Sequence, residues 1–488
     1  YLFLICLAGL TVASIVTYNM QPEAKSKVPI LYWVTDPNPA RELQIATFKK
    51  WLAKQQGAPK FEVRVDSANN DQSKAVIQGV SGVAGDLLDH CFGARLDYYT
   101  QIGLLLDVTE DAKKLGFDPS KTYPSIRPEI TINGRQYTFP CNVYAKMLWV
   151  NKATFERFQQ PLPPRHWNIE TFEKMGKAFV TKANAEQKYR RYFYVNDMPS
   201  NLMYWSLGLD VFNETMTKCI LDDPRYVRVL KLIWKWTNED HLIPTSAERQ
   251  SFATESGYGG ATFQLFNSGN YAMVWCGRYA LIQFRKFGKM KLDVVYPPNF
   301  EMEVTEIGTR ATGVYAAGKY REMAKYFLAY LASRDYNMNI VHDADALPPN
   351  PAFTKTEEFL RPKDYPNEWG CHEQFAQAAI NIGIPRTRSP FVLATTTFRL
   401  IWQGEDAFKS GVKTAEEVSR ETARRINEAI ELTLRENPRL RPYYQEQLAL
   451  QKKIDEYRRQ NRKVPLKWIL NPFYRKWYKF KKLCVENE

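Results

Sequence analysis

Residues 131–158 read TINGRQYTFPCNVYAKMLWVNKATFERF, and this stretch decides how the chain is organised. Asn133-Gly134 separates two apolar runs, and both residues tolerate positive φ, so the pair predicts a β-hairpin. The strand after it is expected to stop at Pro140, which has no N–H for a ladder. A polar pair, Asn142 and Tyr144, then precedes the continuous apolar run 147–150, which is typical of a buried strand. The pattern predicts a crossover between two sheets, a place that ligand sites favour.

Upstream of this crossover, strands and helices alternate from residue 28. The run 28–34 predicts a strand, 40–56 a helix with apolar periodicity, 61–65 a second strand and 72–80 a second helix. Short connections between such units indicate a largely parallel sheet covered by helices. Ligands bind beyond the carboxyl ends of the strands in these sheets. The side chains expected at those ends are those of Trp33, Asp36, Asp89 and His90.

Several motifs follow the order found in one family. They are the Gly134, Tyr137 and Pro140 series followed by Asn151-Lys152, the segment 96–109 (LDYYTQIGLLLDVT), and 263–284 (FQLFNSGNYAMVWCGRYALIQF). In this order the chain resembles the extracellular solute-binding proteins of ABC importers, of the maltose-binding-protein-like, carbohydrate-binding type. It departs from the family pattern at Tyr279, where Trp is usual, and at Arg310, where a small residue is usual. The resemblance covers about residues 28–435.

The resemblance implies an α/β fold of two lobes, the type II periplasmic-binding-protein fold, in which three hinge segments make both lobes discontinuous. The expected boundaries are 28–141 with 310–348 for lobe 1, and 142–309 with 349–435 for lobe 2. Residues 436–488 form a basic, aromatic C-terminal helical extension. Closure of two lobes about a hinge buries the ligand in periplasmic binding proteins.

A carbohydrate site needs flat aromatic surfaces for the apolar ring faces and charged or amide groups for the hydroxyl rim. The resemblance and the chain order select twelve candidates for these roles. They are Trp33, Asp36, Asp89, His90, Asn142, Tyr144, Asn201, Trp205, Trp275, Arg278, Tyr279 and Arg310. For Trp205, a role in the core is an equally good interpretation. The two arginines also suit an anionic sugar, because a guanidinium matches carboxylate and phosphate geometry.

The first 18 residues, YLFLICLAGLTVASIVTY, carry no charge. Their length is close to one membrane span, which favours an uncleaved anchor within residues 1–20, and a signal peptide is the alternative. Either interpretation places the body in the periplasm or at the cell exterior, and an anchor would hold it at the inner (cytoplasmic) membrane.

The net charge of +14 is concentrated at the C-terminus, since residues 435–488 hold 15 Lys/Arg against 6 Asp/Glu. The alternation of aromatics with Lys and Arg in 464–483 fits packing on the lobes, a partner surface or an anionic membrane surface. An extracytoplasmic location argues against nucleic acid as a partner.

The chain has no G-x-S-x-G, Walker lysine loop or H-E-x-x-H motif, so no catalytic set, metal site or cofactor is predicted. The seven cysteines form no C-x-x-C pair, and buried free thiols are expected. The predicted function is capture of a carbohydrate and delivery to ABC permease subunits. A binding subunit of a sensory or other non-transport complex is the alternative, and a carbohydrate-active enzyme is a third interpretation.

Overall fold

The computed structural model describes residues 28–252 and 259–486. The predicted anchor or signal segment at residues 1–20 therefore lies outside the described residues. Within the described part, no helix has the length and apolar character needed to cross a bilayer.

Most strands belong to one twisted sheet with the order β2-β1-β3-β10-β6-β8-β7, to which β11 and β9 are added at β10 and β6. Two short two-stranded ribbons complete the β-structure of the described residues. The strands are β1 Ile30–Val34, β2 Glu62–Asp66, β3 Leu87–Leu88, β4 Thr131–Ile132, β5 Arg135–Gln136, β6 Thr138–Asn151, β7 Phe193–Val195, β8 Tyr271–Gly277, β9 Leu292–Val295, β10 Thr305–Val314, β11 Gly383–Ile384, β12 Val464–Pro465 and β13 Cys484–Val485.

The helices cover both ends of this sheet. Those around the first strands are α1 Ala40–Leu52, α2 Gln72–Val80, α3 Gly93–Gln101, α4 Thr109–Leu115, α12 Arg321–Ala332 and α13 Arg334–Asp343. Those around β7–β9 are α5 Lys152–Arg157, α6 Ile169–Ala183, α7 Ser200–Ser206, α8 Pro224–Asn238, α9 Ser246–Ser251, α10 Gly260–Asn267, α11 Leu281–Phe284, α14 Glu357–Leu360, α15 Cys371–Asn381, α16 Ala394–Lys409 and α17 Ala415–Glu436. The C-terminal extension adds α18 Arg441–Arg459 and α19 Pro472–Phe480.

Strand β6 belongs to both lobes. Its first half pairs antiparallel with β10, and its second half pairs with β8 and β9. Strand β10 in turn pairs with β3 at its C-terminal end and with β11 at its N-terminal end. These two strands therefore carry the chain between the lobes, as the crossover pattern predicts. The predicted passage between two separate sheets is wrong, because β6 and β10 run through one continuous sheet. The fold is the predicted two-lobed α/β arrangement.

A third crossing lies beside the first two. Val143 and Leu347 exchange backbone hydrogen bonds of 2.9 and 2.7 Å, and Asn142 pairs with Arg310 of β10. The three segments thus meet at one place, which is where a hinge between discontinuous lobes is expected.

The hairpin at Asn133-Gly134 is confirmed, with φ of 50° and 75° at the two turn residues. The predicted strand end at Pro140 is wrong, because β6 continues through it. The register shifts at this point: Arg310 pairs with Asn142 and Ala311 with Pro140, so Cys141 is an extra residue. A bulge accommodates a residue that has no N–H to donate.

Each lobe has its own core on both faces of its sheet. In the run 147–150, Leu148 and Val150 pack on one face, and Met147 and Trp149 pack on the other. This strand is buried on both sides, as its continuous apolar sequence predicts. The cysteines among the described residues are unpaired, and all but Cys484 are buried, which agrees with the expectation of free thiols.

The C-terminal extension packs on the second lobe. Ile454, Ile469, Phe473 and Tyr478 are buried in the same core as α7 and α8. Of the three roles considered for the extension, packing on the protein's own lobe is therefore observed for these side chains.

Candidate functional site

A cavity of about 760 Å³ lies in the second lobe. Its walls come from the segment after β7, from α7, from the C-terminal end of α8 and the residues after it, from the end of β8, and from α16. These elements are far apart in sequence, so only the folded lobe brings them together. Four of the twelve predicted residues border this cavity, namely Asn201, Trp205, Trp275 and Tyr279.

Aromatic rings form much of the wall. Trp275 lies near the end of β8, and Tyr279 follows Gly277, the last residue of that strand. Phe398 and Trp402 on α16 stack with ring centroids 6.1 Å apart and planes inclined by 26°. Trp402 is 55% exposed. Flat apolar surfaces with an open edge suit a ligand that has both apolar faces and a polar rim.

Two buried donors at this cavity have no acceptor among the described residues. They are Nε1 of Trp275 and Nδ2 of Asn201. A buried donor without an acceptor costs about 1–3 kcal/mol. Both groups are therefore suited to donate to oxygen atoms of a bound ligand.

The cationic side chains Lys146, Arg249 and Arg386 of the wall each have a carboxylate partner. Glu306 lies within hydrogen-bond distance of Lys146 (3.0 Å) and Arg386 (3.0 Å), and Arg249 lies 3.5 Å from Asp197. Burial opposes the ionisation of Glu306, but the two cations hold its pKa below its ordinary value. The cavity thus presents polar groups without a strong excess of either charge.

Glu405 of α16 has a different environment. It accepts hydrogen bonds from the hydroxyls of Ser200 (2.5 Å) and Tyr226 (3.4 Å). Burial raises the pKa of Glu405. The hydroxyl groups fix this carboxyl at the wall.

Five more of the predicted residues form a second group at the meeting point of the three crossing segments. Arg310 donates to Asp89 (2.6 Å), and Arg41 bridges Asp36 and Asp345 at 2.8 Å each. Asn142 donates to Asp345 (3.1 Å), and His90 lies beside Asp89 with its backbone N–H on that carboxylate (2.7 Å). These five side chains lie close together, but they pair mainly with each other, with Arg41 and with Asp345.

The pKa values in this group follow from the pairing. Burial opposes the charged form of Asp36, yet Arg310 and Arg41 hold its pKa well below the usual range. Burial also opposes the charged form of Asp89, but the groups around it, led by the charge of Arg310, together lower its pKa. Asp36, Asp89 and His90 have ligand atoms within 4.8 Å of one another. The two guanidinium groups compete with a metal ion for the carboxylates.

Trp33 lies in the core of the first lobe. It is fully buried, its ring lies 4.9 Å from that of Phe327, and its Nε1 donates to Thr312 (3.2 Å). Because the described residues around it cover the whole side chain, contact between Trp33 and a ligand does not fit the structure.

Arg278 also departs from the predicted position in the cleft. Its guanidinium is buried, donates to the carbonyls of Ala346 (2.7 Å) and Val341 (2.9 Å), and contacts His372 (2.9 Å). Burial lowers the pKa of Arg278 to about 9. This side chain ties the turn after β8 to the third crossing segment.

Tyr144 lies on the hinge strand β6. Its ring packs so closely on Gly308 that a Cβ at that glycine would lie 2.2 Å from the Tyr144 hydroxyl oxygen. Lys146 Nζ lies 5.7 Å from the centre of the Tyr144 ring. The tyrosine therefore borders the same hinge region as the cavity residue Lys146.

Sequence reasoning missed several cavity residues. Among them are Lys146, Asp197, Trp234, Arg249, Arg386, Phe398, Trp402 and Glu405. The available signal was weak: Trp234 and Trp402 are large aromatic residues at exposed positions of amphipathic helices, where a packing role alone does not account for them.

A two-lobed α/β fold, joined by three adjacent crossing segments and holding a lined cavity, defines the class of two-lobed solute-binding proteins. The chain belongs to the bacterial extracellular solute-binding protein family, whose model matches residues 44–367. No curated protein matches the sequence.

Solved structures of similar fold include the ABC substrate-binding protein Lmo0181 from Listeria monocytogenes in complex with cycloalternan. That structure is 18% identical with a TM-score of 0.67, and the match covers 83% of this chain and 99% of that chain. Maltose-bound MalE3 of T. maritima is 17% identical with a TM-score of 0.64, covering 82% of this chain and 99% of that chain. The GacH receptor of Streptomyces glaucescens is 16% identical with a TM-score of 0.65, covering 83% of this chain and 99% of that chain. At these identities the likeness is one of fold.

Proposed function

We propose that this protein captures a carbohydrate outside the cytoplasm and delivers it to the permease of an ABC transporter. The observation that carries the proposal is the cavity wall, in which Trp275, Tyr279 and Trp402 supply ring surfaces and two buried donors lack acceptors among the described residues. Aromatic faces complement the C–H faces of sugar rings, and available donors complement hydroxyl oxygens. The sugars that the structural neighbours hold support the same class of ligand.

The ligand is a neutral saccharide. An anionic sugar needs unpaired cations, whereas Lys146 and Arg386 share Glu306, and Arg249 is paired with Asp197. A carboxylate on the ligand would compete with Glu306 and Asp197 for these cations. We therefore favour a neutral ligand over the anionic sugar that the two arginines suggest.

In this proposal residues 28–141 with 310–348 and residues 142–309 with 349–435 move as two lobes. Asp36, Asp89, His90, Asn142 and Arg310 lie at the hinge, and closure brings their polar face toward a ligand held in the second lobe. Tethering to the membrane through residues 1–20 is part of the proposal and rests on sequence alone.

A thermal-shift screen with neutral and acidic mono- and oligosaccharides tests the proposal. We expect reversible stabilisation by at least one neutral saccharide, recovered unchanged by chromatography, and co-purification of permease subunits from the source membrane. Stabilisation by acidic saccharides alone contradicts the neutral ligand. Turnover of the saccharide contradicts a pure binding function, and recovery with sensor components alone contradicts the transport role.

A further inference from the structure

The C-terminal extension contacts Asp210, a residue that borders the cavity in the second lobe. Asn471, which precedes α19, is completely buried. Its Nδ2 donates to Asp210 Oδ2 (2.8 Å), to the carbonyl of Phe212 (3.1 Å) and to that of Asn213 (3.3 Å). Its Oδ1 accepts the N–H of Phe473 (2.9 Å). Every polar atom of this side chain is thus engaged, which fixes its position.

Asp210 connects Asn471 to the ligand cavity. Its second oxygen, Oδ1, accepts the indole N–H of Trp205 at 2.8 Å, and both Asp210 and Trp205 border the cavity. Hydrogen bonds to a buried carboxylate are shorter and stronger than those between neutral groups. The chain Asn471–Asp210–Trp205 therefore sets the rotation of the indole.

A second contact holds the face of the same indole. The ring of Phe473 stacks on Trp205 with centroids 6.4 Å apart and planes inclined by 20°. Phe473 is itself completely buried. The extension thus contacts Trp205 both through its N–H, by way of Asp210, and through its ring.

The extension is anchored to the lobe by Glu214. The backbone carbonyl of Glu214 accepts the N–H groups of Leu470 and Asn471 at 2.9 Å each, and its carboxylate accepts the hydroxyl of Tyr478 (2.7 Å) and a guanidinium N–H of Arg458 (3.0 Å). Helices α18 and α19 are consequently fixed on one buried acidic residue of the second lobe.

We infer that the C-terminal extension is a positioning element of the ligand site, in which Asn471 and Phe473 hold Trp205 in its orientation at the cavity wall. The inference rests on the proposed function, since it takes the cavity as the saccharide site. In this inference the extension contributes to ligand affinity in addition to packing on the lobe.

The test uses the full-length chain with Asn471→Ala and Phe473→Leu, and with Phe480→Ala as the matched control. Phe480 lies on the same helix and is 49% exposed. One readout is the ¹⁵N–¹H indole signal of Trp205, assigned with Trp205→Phe. The other is the Kd for the saccharide found in the thermal-shift screen, measured by calorimetry.

We expect Asn471→Ala to move the Trp205 indole signal and to raise Kd about tenfold, the equivalent of one hydrogen bond. Phe473→Leu keeps an apolar side chain and should raise Kd without loss of folding, which covers the case in which Asn471→Ala does not fold. Phe480→Ala should change neither readout.

An unchanged indole signal and an unchanged Kd in Asn471→Ala and Phe473→Leu would overturn the inference. The indole signal needs no ligand, so it decides whether the extension positions Trp205 even when the unaltered protein binds no saccharide. Absence of saccharide binding by the unaltered protein contradicts the proposed function and not this inference.

Discussion

Trp402 offers a ring to the cavity while remaining 55% exposed. Because its removal leaves little core unfilled, Trp402→Ala should change the free energy of unfolding by less than about 0.5 kcal/mol. Loss of the stacking surface should weaken saccharide binding by about 1–2 kcal/mol, roughly tenfold. Calorimetry and urea unfolding measure the two quantities.

Trp369 provides the matched control for this substitution. It is 50% exposed and its Nε1 donates to the carbonyl of Pro362 (3.1 Å), away from the cavity residues. Trp369→Ala should leave the saccharide Kd unchanged. Equal effects of the two substitutions on Kd would refute the assignment of Trp402 to the site.

His372 makes stability depend on pH. Burial, together with the nearby charge of Arg278, lowers the pKa of His372 from 6.5 to about 4. The unfolded chain therefore binds a proton between pH 6.5 and 4 that the folded protein does not bind. Stability is complete above pH 6.5 and falls as the pH drops toward 4, by up to about 3 kcal/mol from this group.

Urea unfolding of the unaltered protein and of His372→Gln at pH 7.5 and 4.5 checks this prediction. Because glutamine does not titrate, the stability advantage of the unaltered protein over the variant should shrink at pH 4.5. An advantage that is constant or larger at the lower pH would mean that His372 is not held in its neutral form.

At the scale of elements, the packing of helix α19 against the turn after α7 can be tested with one substitution. Gly208 has φ of +77°, and a Cβ there would lie 2.2 Å from the Cζ2 atom of Trp477. Gly208→Ala combines the strain of a left-handed backbone with overpacking, each about 1–3 kcal/mol. Thermal unfolding should show a large loss of stability.

Substitution of Gly411 separates the cost of backbone strain from the cost of overpacking. It has φ of +72°, and a Cβ added to it would have no other described atom within 4 Å. Gly411→Ala should cost only the backbone strain, about 1–2 kcal/mol. If both substitutions cost the same, α19 does not pack against Gly208 as described.

At the scale of the whole molecule, Arg388 joins the segment before α16 to residues 93–128, which the proposed bounds assign to the other lobe. From the segment before α16 it donates to Asp97 (2.5 Å), to the carbonyl of Gly93 (2.9 Å) and to that of Pro128 (2.7 Å). Arg388→Ala removes these charge-assisted bonds. In X-ray scattering, the ligand-free variant should have a larger radius of gyration than the unaltered protein, and saturating saccharide should reduce the difference.

Arg361→Ala is the control, since Arg361 is 64% exposed and its guanidinium lies 3.8 Å from Glu357 within the same helical turn. It should leave the scattering curve unchanged. An Arg388→Ala curve identical to that of the unaltered protein would mean that this residue does not hold the lobes together.

The sequence was informative where one residue type has a special local conformation. Asn133-Gly134 predicted the hairpin because both residues accept positive φ. The sequence was less informative where a side chain contacts residues that are distant in the sequence. Arg278 is held by carbonyls of residues 340–346, which leave no side-chain signature. Arg386 and Trp402 join the cavity only because the third crossing returns the chain to the second lobe.

The central claim is that the second-lobe cavity binds a neutral saccharide on its rings. Calorimetry of Trp275→Ala against the unaltered protein, with the saccharide identified in the thermal-shift screen, tests it most directly. We predict micromolar binding by the unaltered protein and a loss of at least about tenfold in the variant, because a ring face and a buried donor disappear together. Equal affinity of the two proteins, with the variant folded, would contradict the claim.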